Sequence, residues 1–340
     1  MRNVFQTLVM STVASVMFSC SNGDTNSINL PDEALPKAEL HVDVKSTDIE
    51  FGTKPNAEAS SEATIKNLHL LVFKNKEGIE DNGHKELYEG KDFSIDGTSS
   101  VFSHKPTLGH KDLVIVANYD GEKLSATQDL TSFCSTQKAL LSTQEEGNFT
   151  MVGEQRFEVK GGLNETTVNL SRLVAKVVLK SVAVTNDLEK TIKPKRAFMM
   201  NVSNESWLRG AGVSVGAGDP IAHGYKVDKN YLAALTSSYS QDAASTFYVF
   251  ENQAGIAKTM LVIEADYTKK DQSVVPVYYS IVVKTGNDAK ILSNNVYTLS
   301  AKIKRPGSLE PEVPSDSGDL EVSIKVDEWI YNPEQGESFE

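Results

Sequence analysis

Two thiols, six imidazoles and a scatter of carboxylates are what this sequence of 340 residues offers for chemistry. The histidines, His41, His69, His84, His104, His110 and His223, show no paired metal spacing, and no His-Glu-x-x-His run is present. Cys20 and Cys134 alone cannot build a cysteine zinc site. The glycines from Gly210 to Gly218 lack the strand–turn–helix setting of a phosphate loop. No Gly-x-Ser-x-Gly nucleophile elbow is expected either. The acidic run Glu77-Gly78-Ile79-Glu80-Asp81 reads as a solvated loop before it reads as a calcium site. No catalytic set, no metal and no cofactor is expected, and the chain is not read as an enzyme.

The thiol with a specific setting is Cys20. Met1-Arg2-Asn3 makes a short positive start, and the apolar run Phe5 to Phe18 is too short to span a bilayer, the layout of a secretory signal. That run ends in Ser19-Cys20, followed by polar residues, which resembles a lipobox cut ahead of a lipid-modified cysteine. Residues 1–19 are thus expected to be removed and Cys20 lipidated; the alternative is an ordinary signal with Cys20 unmodified. With Cys20 lipidated, Cys134 has no partner for an intramolecular disulfide and reads as a small buried hydrophobe.

The formal net charge of −12 argues against nucleic acid, whose binders need a basic stripe. The length suffices for two domains, each with its own core. Strand patterns recur every 8–15 residues: Ile65–Phe73, Lys85–Tyr88, Asp92–Ile95, Leu113–Asn118, Thr150–Val152, Phe157–Val159, Thr166–Leu170, Leu173–Val184, Thr246–Phe250, Thr259–Asp266, Val274–Val283 and Val296–Ile303. One helix is expected between Thr127 and Leu141, where Leu130, Phe133, Cys134, Ala139 and Leu140 recur on one face. So much strand and so little helix indicates an all-β sandwich fold. The expected division is a leader with the first strand over 20–49, one sandwich over 50–171, a second over 172–304, and a linker with a last strand over 305–340.

Two strands stand apart. Ala38, Leu40, Val42 and Val44 alternate with Glu39, His41, Asp43 and Lys45; Leu320, Val322, Ile324 and Val326 alternate with Glu321, Ser323, Lys325 and Asp327. The first is followed by a loop rich in Gly, Pro, Asn, Ser and Glu. The last is preceded by Arg305–Asp319, a Pro/Gly/Ser/acid linker read as unable to form a ladder. Side-chain period is two, so a groove that accepts one segment could accept the other in register. Loss of the first would open an apolar trench, and the last strand of a neighbour could fill it by β-augmentation. Such a joint is head-to-tail and builds a filament. The alternative is that each strand belongs to its own sheet in a monomer.

An ordered series of blocks resembles the major fimbrillin family of Bacteroidota, the type V pilus subunits. The series comprises Cys20, Ala38–Lys45, Ile65–Phe73 with Asn75, Asp112–Asn118 with the helix after it, Leu173–Val184, Thr246–Asn252, Val296–Lys304 and Val322–Trp329. The resemblance implies two transthyretin-like β-sandwich domains, export as an outer-membrane lipoprotein, and proteolytic removal of the segment carrying Ala38–Lys45. It also implies polymerisation with other copies or related subunits through Leu320–Asp327, with Trp329 as an apolar anchor beyond. One departure is plain: no arginine lies between Arg2 and Arg156, so Lys45 and Lys54 are the basic candidates for cleavage. Two other readings compete with a stalk subunit. One is a tip or accessory adhesin whose Trp207–Ser240 loops meet a host or bacterial surface ligand; the other is a lipid-anchored protein that does not polymerise.

Overall fold

The computed structural model describes residues 36–46, 62, 64–74, 87–94, 101–119, 124, 130, 133, 137–203, 205–208, 233–234, 245–252, 258–286 and 290–329. The signal, Cys20, Lys54, Cys134 and most of Trp207–Ser240 therefore lie outside the described residues.

The described chain is nearly all β. The first sheet is built from β1 (Glu39–Ser46), β2 (Asn67–Lys74), β3 (Leu87–Ser94), β4 (Val101–His104), β5 (Gly109–Ala117), β7 (Met151–Val159) and β8 (Leu163–Arg172), in the order β3-β2-β5-β7-β8-β1-β4. Its two halves meet only where β7 touches β8, at Met151↔Arg172 and Val152↔Ser171. There the sheet folds over on itself. Leu40, Val42, Val44, Val168 and Leu170 on one layer pack against Leu68, Leu70, Val72, Leu113 and Ile115 on the other. Gly153 sits at the crossing because a Cβ there would collide with the Asn169 carbonyl and the Val168 side chain. β2 and β5 are buried on both faces: Leu71, Phe73, Val114 and Val116 look away from that core into a second one.

The second core is closed by two four-stranded sheets. One runs β13 (Ser245–Phe250), β9 (Val174–Val184), β16 (Asn295–Ile303), β17 (Leu320–Glu328). The other runs β12 (Ala233–Ala234), β10 (Ile192–Met200), β14 (Met260–Thr268), β15 (Val274–Val282). Val177, Leu179, Tyr297 and Leu299 face Ala197, Leu261, Ile263, Tyr279 and Ile281 across it. The fold is thus two β-sandwiches.

Four sequence expectations change. The helix is shorter than expected: Leu130 and Phe133 are helical, but Lys138–Leu140 forms a strand, β6, paired with β11 (Glu205–Trp207), and Leu141–Thr143 is a 3₁₀ turn. The two strands expected at Lys85–Tyr88 and Asp92–Ile95 are one continuous β3, and those at Thr150–Val152 and Phe157–Val159 are one β7. β4 and β10 were not visible in the pattern. The linker Arg305–Asp319 is not free. Ser308 and Pro314 bridge Tyr278 and Ser280, the Tyr279 hydroxyl donates to the Arg305 carbonyl at 2.9 Å, and Gly307 lies so close to the Tyr278 backbone that a Cβ would not fit.

Candidate functional site

β1 is an interior strand. It runs parallel to β8 from Glu39↔Leu163 to Ser46↔Leu170 and antiparallel to β4 from Leu40↔His104 to Asp43↔Val101. The pairing on the β4 side continues backwards through Ala38 N–H to the Pro106 carbonyl at 3.1 Å and Leu108 N–H to the Pro36 carbonyl at 3.0 Å. Leu40, Val42 and Val44 have no solvent exposure. Asn164 fixes the entrance, its amide donating to the carbonyls of Glu39 at 3.2 Å and Lys160 at 2.7 Å. Taking β1 away would therefore bare two strand edges at once, β8 and β4, and the apolar floor between them.

β17 carries the same alternation in a different setting. It pairs with β16 alone, antiparallel from Ile303↔Leu320 to Asn295↔Glu328, and is the last strand of its sheet among the described residues. Only Leu320 is buried; Val322 is 36% exposed, and Ile324 and Val326 are half-buried. Those four side chains line one wall of an open cleft of about 460 Å³, with Ser280–Val282 of β15, Pro314 and Ser315 opposite. The last strand thus belongs to a sheet of its own chain, the alternative the sequence left open, but is docked along one edge with its apolar face part-wet.

Directly after β17, Trp329 is 5% exposed. Its ring stacks on Tyr248 (5.8 Å between centroids, 9° between planes), meets Phe149 edge-on at 5.5 Å, and lies under the Arg172 guanidinium at 4.5 Å. Its indole N–H donates to Glu62 Oε2 at 3.2 Å, and its backbone N–H to the Asn294 carbonyl at 3.0 Å. The other oxygen of Glu62 receives Lys176 Nζ at 2.6 Å and the Tyr248 hydroxyl at 2.8 Å. The same hydroxyl lies 2.9 Å from Glu146 Oε1, and one proton cannot serve both acceptors at once. Burial, with the Glu62 and then the Glu146 carboxylate beside it, holds Tyr248 protonated far above the ordinary tyrosine range. Arg172 also donates to the Glu62 carbonyl at 3.0 Å and to Asn294 Oδ1 and the Trp329 carbonyl, both at 3.4 Å. Asn294 takes a left-handed backbone (φ 53°) to present these groups.

The sequence singled out Trp329 but not Glu62, Arg172, Tyr248 or Asn294, which come from four separate segments with no shared period. Lys45 falls inside β1, its backbone in register with Asn169. No group of three or more metal-binding side chains occurs among the described residues. One expectation fails on the sequence itself: Gly212-Val213-Ser214-Val215-Gly216 does spell Gly-x-Ser-x-Gly. It lies outside the described residues, and no expected strand leads into it.

The major fimbrial subunit (FimA) family matches residues 38–201. The major fimbrium subunit FimA type-5 of Porphyromonas gingivalis is 25% identical, covering 88% of this chain and 93% of its own. The major fimbrium tip subunit FimD of the same species is also 25% identical over 80% of this chain, which spans 41% of that longer protein. Among solved structures, a cell adhesion protein of Bacteroides eggerthii superposes with a TM-score of 0.65 at 21% identity over 87% of this chain and 97% of its own. A fimbrilin of Porphyromonas gingivalis W83 gives 0.64 at 19% identity over 87% and 98%.

Proposed function

From a chain that belongs to the major fimbrillin family of Bacteroidota, matched over residues 38–201 and carrying the fimbrilin fold, we propose a structural subunit of a surface fimbria that polymerises by exchanging its last strand. One observation carries this reading: β1 and β17 carry the same apolar–polar alternation, yet Leu40, Val42 and Val44 of β1 are fully buried between β8 and β4, while β17 is half-buried along one edge. In a slot like that of β1, Val322, Ile324 and Val326 would lose their remaining exposure, about 1.5–3 kcal/mol together. A second ladder would add about 0.5–1.5 kcal/mol per hydrogen bond. Against this stand the β16 ladder left behind and the several kcal/mol of lost translational freedom.

In this reading Cys20 carries the lipid that holds the precursor at the outer membrane, and a cut at Lys45 or Lys54 releases β1. The partners are other copies or related subunits, joined head-to-tail. The adhesive role is carried over from the likeness to the cell adhesion protein of Bacteroides eggerthii.

Protein expressed from Ser46 onward is expected to form ladders on gels run without boiling, and a version ending at Gly318 to stay monomeric. A monomer in the first case removes strand exchange from the account.

A further inference from the structure

The cage around Trp329 ties the β1–β2 connection and the end of β8 to the sheet β13-β9-β16-β17. Glu62 belongs to the connection between β1 and β2; Arg172 ends β8; Lys176 lies on β9 and Tyr248 on β13; Trp329 follows β17. Besides the cage, β17 is held by its ladder to β16, by the buried Leu320 and by the half-buried Ile324 and Val326. We propose that this cage is an autoinhibitory latch, with Glu62 as its catch and Trp329 as its bolt, that keeps the last strand at home until the connection carrying Glu62 is drawn away.

The argument is one of geometry and charge. The Glu62 carboxylate accepts from the indole N–H of Trp329, from the Lys176 ammonium and, in competition with Glu146, from the Tyr248 hydroxyl. Lys176 and Arg172 in turn present their charge to the indole ring, at 5.7 and 4.5 Å. Remove the carboxylate and the indole N–H is left buried without its acceptor, while Lys176 loses its ion-pair partner; both effects favour the state in which Trp329 has left. Because Trp329 is the residue next to Glu328, its departure frays β17 from the end where Val326 and Ile324 are already half-wet.

The use of the latch rests on the strand-exchange reading, whereas its mechanics do not, and the test separates the two. Hydrogen exchange of the full chain is compared with that of Glu62→Gln, which keeps size and one acceptor but removes the charge, and of Tyr248→Phe, which keeps the ring stack. Exchange of the Glu321–Glu328 amides is expected to rise about tenfold in Glu62→Gln and about threefold in Tyr248→Phe, with β1 and the interior of β9 unchanged. Unchanged exchange in β17 overturns the latch, as does a rise shared equally by β9, which would mean a merely loosened fold. A second measurement follows polymer formation. Faster β17 exchange without faster polymerisation keeps the latch as a structural device and removes strand exchange; faster polymerisation at unchanged exchange does the reverse.

Discussion

β1 and β17 are nearly the same sequence pattern in two environments. Each alternates apolar and polar residues in one phase, yet β1 is gripped by β8 and β4 with Leu40, Val42 and Val44 fully buried, and β17 clings to β16 with Val322 more than a third exposed. The difference teaches that alternation specifies a face but not how completely it is covered. That is decided by which edges the rest of the chain leaves open, and here one copy of the pattern is a keystone and the other a loosely seated tenant.

The contrast can be broken most forcefully by charge. Val42→Asp places a carboxylate where nothing polar can meet it and is expected to cost more than about 3 kcal/mol in urea unfolding. Ile324→Asp, facing an open cleft, should cost roughly 1 kcal/mol or less. Equal costs would mean that β17 is held as firmly as β1. An effect between these two is expected from Gly307→Val, whose side chain collides with the Tyr278 backbone and lifts the linker from β15, at about 1–3 kcal/mol. Limited proteolysis should then cut Arg305–Asp319 while β1 stays intact.

The smallest effect is one of pH. Tyr248 has a native-state pKa raised above its unfolded value of 10.0, so its contribution to stability is whole below pH 10 and is lost as the unfolded chain begins to ionise above it. Thermal unfolding should therefore show an alkaline decline that is shallower in Tyr248→Phe. Tyr297, also raised by burial, leaves a residual slope in that variant.

The end strands were legible because each has one face toward a core and one toward solvent, so period two survives in the residues. β10 was hidden for the opposite reason. Ile192-Lys193-Pro194-Lys195-Arg196 breaks the alternation at a bulge between Pro194 and Arg196, and Ala197–Met200 is buried on both faces. β3 looked like two strands because Gly90 interrupts its pattern without interrupting its ladder. The cage of Trp329 left no trace at all, since periodicity reports neighbours along one element and Glu62, Phe149, Arg172, Tyr248 and Asn294 become neighbours only when both sandwiches have folded.

The unequal lengths of the strands flanking β1 set a direction. Among the described residues β4 pairs with it from Leu40 to Asp43, and the bonds beyond run toward Pro36, so the described partners of Val44, Lys45 and Ser46 are all on the β8 side. In the described pairing, peeling from the carboxyl end undoes one ladder before it reaches Asp43, whereas peeling from Glu39 meets two almost at once.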